Sequence, residues 1–158
     1  MKAPILLTLT LFLAACDSGP VNHSEEASKA LQARDYGAAV SHFDQALATL
    51  GPDSPERTEI ALARCGARAH QDVKAARGEF LEIAESEDLK EKAYKDMVRN
   101  LFNAGSDGLL EAVIVVDAGI KKFPDSEGLM AYLEKLKAEA AKAEGGALNK
   151  ALQGLGYS

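Results

Sequence analysis

The side chains of this sequence that could do chemistry are few, and their spacing decides what they can do. His23, His42 and His70 stand far apart along the chain. None lies three to five residues from another histidine or beside a pair of cysteines, as a metal-ligand set requires. The sequence contains no glycine-rich phosphate loop, no serine flanked as in a nucleophile elbow, and no serine followed three residues later by lysine. Glu85 and Glu87 form an acidic pair at what reads as an exposed helix end. No metal, no cofactor and no enzymatic activity are therefore expected. Cys65 sits among small residues in the stretch Ala61-Leu62-Ala63-Arg64-Cys65-Gly66-Ala67, where a buried, inert thiol is the natural reading.

A sharper pattern is basic. Lys92, Lys95, Arg99 and Asn103 recur at spacings of three and four, and Arg57, Arg64 and Arg68 form a second stripe. Lysine and arginine on one helix face can hold carboxylates through charge-assisted hydrogen bonds, so these residues are candidates for a partner-binding groove. The plainer alternative is that they are solvated faces paired with Glu56, Glu59, Glu91 and Asp96.

The elements that would carry these side chains are helical. The chain has 158 residues, 47% hydrophobic and 27% charged, enough for one domain, and only 6% of its residues are aromatic. Alanine and leucine dominate over β-branched residues, which favours helices. The formal net charge of -6 argues against nucleic acid as a partner, because phosphate contacts need surplus lysine and arginine.

Residues 1–15 read as a cleaved signal peptide. Lys2 supplies the positive start, and Ile5 to Leu13 form an apolar run broken only by Thr8 and Thr10. The run is too short to span a bilayer, which takes about 20 apolar residues. Its end, Leu13-Ala14-Ala15-Cys16, resembles the lipobox of bacterial lipoproteins. The resemblance implies diacylglycerol on the Cys16 thiol, cleavage just before it, and an acyl chain on the new amino terminus. Two or more chains make a stable anchor, where one would be marginal. With Cys16 so committed, Cys65 has no partner for an intramolecular disulfide. Asp17 resembles the inner-membrane retention signal of enterobacterial lipoproteins. The expected location is the bacterial cell envelope, with residues 16–22 as a short tether that holds the domain near the bilayer.

The remainder carries an internal period. The alanines Ala39, Ala76 and Ala112 stand 37 and 36 residues apart in three aligned segments. Each begins a set of small, large, then small or apolar residues at spacings of four and three: Ala39, Phe43, Ala46; Ala76, Phe80, Ile83; Ala112, Val116, Gly119. Such spacings place each set on one helix face. The pattern resembles the second helix of a tetratricopeptide (TPR) repeat. Ahead of the third segment, Tyr94, Met97, Val98 and Leu101 resemble the first helix of the same repeat. In the second repeat two buried faces are open, Leu62, Cys65, Gly66 and Ala69 or Ile60, Ala63 and Ala67. In the first only Ala27, Ala30 and Leu31 match.

Gly51-Pro52-Asp53-Ser54-Pro55 and Phe123-Pro124-Asp125-Ser126 close the first and third repeats, since proline cannot continue a helix and Asp or Ser can cap the next. The resemblance implies an all-α, right-handed solenoid of about three hairpins over residues 23–144. A capping helix bearing Leu129, Leu133 and Leu136 completes it, and a short helix or tail over 145–158 has Tyr157 packing back. It further implies a scaffold or adaptor that binds protein partners along its first helices. The alternatives are a self-associating envelope lipoprotein, with a homo-oligomer as its form, or an accessory subunit of a cell-wall or secretion complex.

Overall fold

The computed structural model describes residues 22–142 and 146–157. The signal segment, Cys16 and Asp17 lie outside the described residues. Among those described, the fold is all α-helical without a strand. Its helices are α1 (His23–Gln32), α2 (Tyr36–Thr49), α3 (Arg57–Arg68), α4 (Val73–Ser86), α5 (Glu91–Asn103), α6 (Ser106–Lys122), α7 (Glu127–Ala141) and α8 (Ala147–Gly154). No described helix is long and apolar enough to cross a membrane.

Helix starts follow from short polar side chains. Asn22, Asp35, Asp72 and Ser126 cap α1, α2, α4 and α7, each accepting a hydrogen bond from a backbone N–H two or three residues on. The boundary least marked in the sequence falls at Ser86. There Glu87 turns extended, and its N–H donates to the Ile83 carbonyl at 2.8 Å.

Successive helices pack in pairs: α1 with α2, α3 with α4, α5 with α6 and α7 with α8. Each pair meets the next through α2 on α3, α4 on α5 and α6 on α7. Further packing joins α3 to α5, α5 to α7, α4 to α6 and α6 to α8. The expected capping helix is therefore half of a fourth pair. Residues 146–157 pack back onto the body, because α8 buries Leu152 against the main core and Leu148, Ala151 and Tyr157 pack beside it. The Tyr157 hydroxyl donates to Asp117 Oδ1 of α6 at 3.0 Å.

The core divides at α3. A larger cluster holds Phe80, Tyr94, Met97, Leu101, Val116, Leu129 and their neighbours, with the Phe80 and Tyr94 rings edge to face at 5.1 Å. A smaller one holds Ala27, Ala39, Val40, Phe43 and Ala67. Both faces of α3 that the sequence offered as alternatives are in use. Ile60, Ala63 and Ala67 meet the smaller cluster, while Leu62, Cys65 and Ala69 meet the larger. A helix sandwiched between two neighbours needs apolar residues on both sides, which is why the pattern alone could not choose. The repeat residues Ala39, Phe43, Ala46, Ala76, Phe80, Ala112 and Val116 are all buried.

Candidate functional site

An open groove of about 1200 Å³ runs between α3 and α5. One wall is α3 and the turn after it, with Thr58, Glu59, Leu62, Ala63 and Gly66 from the helix and His70 from the turn. The other is α5, presenting Lys92, Asp96, Met97, Arg99, Asn100 and Asn103. Leu31, Arg34 and Tyr36 close one end, at the turn between α1 and α2. The walls can approach because position 66 is glycine: a β-carbon there would lie 2.5 Å from the Asn100 amide nitrogen.

Arg34 shapes that end. It closes α1 with φ 58°, a left-handed conformation that glycine usually takes. Its N–H donates to the Leu31 carbonyl at 3.0 Å, and the following Asp35 N–H donates to Ala30 at 2.9 Å. This is the hydrogen-bond pattern of a Schellman motif. Among the described residues, no carboxylate forms an ion pair with Arg34. Beside it the Tyr36 and His70 rings stack at 3.8 Å, 9° from parallel. Burial there lowers the pKa of His70 from its ordinary value.

The candidate basic residues separate into two groups. Lys92, Arg99 and Asn103 line the groove, where Lys92 and Arg99 share the Asp96 carboxylate, Arg99 at 2.8 Å. Lys95 does not line it. It pairs with Glu91 at 2.8 Å, and its stem lies where a β-carbon on Gly128 of α7 would stand. The Lys95 ammonium, then the Ser126 hydroxyl, hold the Glu91 carboxyl below the usual carboxylate range.

The second-repeat stripe faces away from this groove. Arg57 donates to the free carbonyls of Leu47 and Leu50 at the end of α2, at 3.1 and 3.3 Å. Arg64 bridges Asp44 of α2 at 2.7 Å and Glu79 of α4 at 3.4 Å, and Arg68 also pairs with Glu79. Arg57 and Arg64 border a second cavity of about 400 Å³ between α2 and α4. Positions 57, 64 and 68 lie on the side of α3 opposite Thr58, Leu62 and Gly66, so these arginines tie helices together and stand outside the large groove.

No protein-family model, no curated protein and no solved structure matches this chain.

What the arrangement can do thus rests on its own geometry. Arg34, Lys90, Lys92 and Arg99 line the groove together with Glu59, Asp88 and Asp96, a local surplus of positive charge on an acidic chain. Asn100 and Asn103 add amides suited to a peptide backbone. The sequence reading missed Arg34, Tyr36, His70, Lys90 and Asn100. Only Arg34-Asp35, at the close of one helix and the cap of the next, carried a signal that could have found this end. Cys65 is fully buried, and burial pushes its thiol up to about 11, which leaves almost no thiolate at neutral pH. Among the described residues, no group of three or more His, Cys, Asp or Glu side chains could hold a metal ion.

Proposed function

We propose that this chain is a lipoprotein of the bacterial cell envelope, anchored through acylated Cys16, whose helical pairs form a TPR-like solenoid that binds a protein partner and does no chemistry. The observation that carries the reading is the groove between α3 and α5. It is about 1200 Å³ in volume, open to solvent, and lined by Arg34, Lys92, Arg99, Asn100 and Asn103 above an apolar floor of Leu62 and Met97. A chain segment lying there would meet cationic and amide donors along its length and apolar surface beneath it. The stacking of each helical pair on the next, and the 36- to 37-residue spacing of Ala39, Ala76 and Ala112, support the TPR-like arrangement.

Crosslinking in intact cells followed by mass spectrometry tests the binding role. Arg99→Glu combined with Lys92→Glu should abolish capture of the partner while leaving the helical circular dichroism unchanged. Undiminished capture by this variant would remove the groove from the mechanism. Capture of nothing except the chain itself would replace the adaptor reading with self-association. Labelling with a fatty-acid analogue tests the anchor, and Cys16→Ala should lose all label.

A further inference from the structure

The array of helical pairs closes differently at its two ends. At the first pair α1 exposes Glu25, Ser28 and Lys29, and Lys29 bridges Glu25 and Glu26 at 3.3 and 2.8 Å, a polar surface of the kind that caps a stack of repeats. The last pair has a different surface. Among the described residues, the exposed large hydrophobic side chains are Met130 of α7, 42% exposed, and Leu155 at the close of α8, 40% exposed. Single exposed apolar side chains are ordinary, so the side of the helix that carries them decides what they mean.

The packing of α5 shows which side of a first helix receives the next pair. Lys95 lies against Gly128 of α7, and the Phe102 ring meets the Tyr132 ring of α7 at 5.5 Å. Met130 and Lys137 stand one repeat length further along the chain, at the positions in α7 that Lys95 and Phe102 hold in α5. On α7 itself Gly128 and Tyr132 turn toward α5. At about 100° per residue, Met130, Glu134, Lys137 and Ala141 fall on the opposite side, at spacings of four, three and four. Met130, Glu134 and Ala141 are exposed and Lys137 partly so. This stripe is the surface that a fifth pair would cover, and among the described residues none follows.

The charges on the stripe are self-complementary. Glu134 and Lys137 pair within the helix at 3.5 Å. When two copies of α7 lie antiparallel about a two-fold axis at the level of Lys135 and Leu136, each Glu134 faces the partner's Lys137, and each Met130 faces the partner's Ala141. Small residues at Ala138 and Ala141 let the two helices approach closely. We propose that two copies of this chain associate through this face of α7, carboxy-terminal end to carboxy-terminal end, with Leu155 at the margin of the contact. Neither wall of the groove between α3 and α5 belongs to α7, so both grooves stay open in the dimer. The inference stands whether or not Cys16 is acylated or the groove holds a partner. A contact one helix long is at the small end of specific interfaces, so monomer and dimer should exchange.

Sedimentation equilibrium of the full chain in density-matched detergent tests it. The parent should show a monomer–dimer equilibrium. Met130→Asp, Glu134→Lys and Lys137→Glu should each weaken association about tenfold or more, the first by placing charge on the apolar contact and the other two by setting like charges opposite one another. All three positions lie outside both core clusters, so the helical circular dichroism should not change. An equimolar mixture of the Glu134→Lys and Lys137→Glu chains should recover dimers, because the two substitutions together restore opposite charges across the axis. A parent chain that sediments as a monomer, variants that dimerise as well as the parent, or a mixture that stays monomeric would overturn the proposal.

Discussion

Gly108 of α6 stands against the carbonyl of Leu101 in α5: a β-carbon on residue 108 would lie 2.0 Å from that oxygen and 2.9 Å from its carbon. The two helices are joined by only Ala104 and Gly105, with Gly105 at φ 92°, so neither backbone can withdraw. Gly108→Ala should destabilise the fold by about 3 kcal/mol, the upper part of the usual range for overpacking, since the obstacle is main chain. Gly78, inside α4 with open space around its missing side chain, is the control. Gly78→Ala should raise stability by about 0.5–1 kcal/mol through helix propensity. Urea unfolding followed by circular dichroism measures both, and equal effects at the two positions would refute the packing argument.

The Arg77–Glu111 pair makes a second prediction. Glu111 of α6 is only 6% exposed, and Arg77 Nε of α4 donates to its Oε2 at 2.9 Å. Removing the arginine leaves a carboxylate without its countercharge in a dry site, which costs about 3 kcal/mol or somewhat less, since Arg77 itself reaches solvent. Arg77→Met should show this loss, and Arg77→Met with Glu111→Leu should recover most of it. A double-mutant cycle in urea tests the coupling; additive losses would mean that the pair contributes nothing beyond its two members.

Arg34 should trade stability for binding. A left-handed conformation disfavours any residue with a β-carbon by about 1–2 kcal/mol relative to glycine, part of which glycine returns as extra freedom of the unfolded chain. Arg34→Gly should therefore raise stability by about 0.5–1 kcal/mol while weakening partner capture in the same crosslinking assay. A variant that is more stable and captures normally would show Arg34 to be a tolerated irregularity with no part in binding.

The helical periodicity was legible because burial on one face imposes it: Ala39, Phe43 and Ala46, or Ala112 and Val116, leave a pattern of threes and fours wherever a helix has a single core-facing side. The orientation of α3 was not legible for the opposite reason. With apolar residues on two faces, its pattern does not say which side carries the groove, and Arg57, Arg64 and Arg68 were placed with Lys92 and Arg99 although Arg57 turns to the carbonyls of Leu47 and Leu50 and the other two toward Asp44 and Glu79. Lys95 was misplaced by a subtler effect: its charge goes to Glu91 one turn earlier on the same helix, and its stem is drawn toward Gly128, a contact across long sequence distance. The short α8 offered too few residues for its pairing with α7 to be seen. Arg34 escaped notice because its role depends on a left-handed turn that a non-glycine residue rarely adopts.

Cys65 should make the fold sensitive to alkali. Its thiol has a pKa of about 11 in the folded chain, against 9.0 for the ordinary group, chiefly because burial disfavours the thiolate. A folded-state pKa above the unfolded one means that the native state keeps its proton after the unfolded chain has released it. The associated stability is fully present below about pH 9 and is lost as pH rises through 11. The size of the effect is on the order of 2–3 kcal/mol, from the difference between the two values. Cys65→Ala leaves a smaller side chain in the same position and removes this titration, so its stability should fall less steeply than that of the parent between pH 9 and 11. Unfolding by urea at stepped pH measures the two slopes, with a thiol reagent at pH 8 as companion: the parent should react only after denaturant is added. Parallel slopes, or rapid labelling of the native chain, would show that Cys65 is open to solvent and that the larger core is looser than its packing implies.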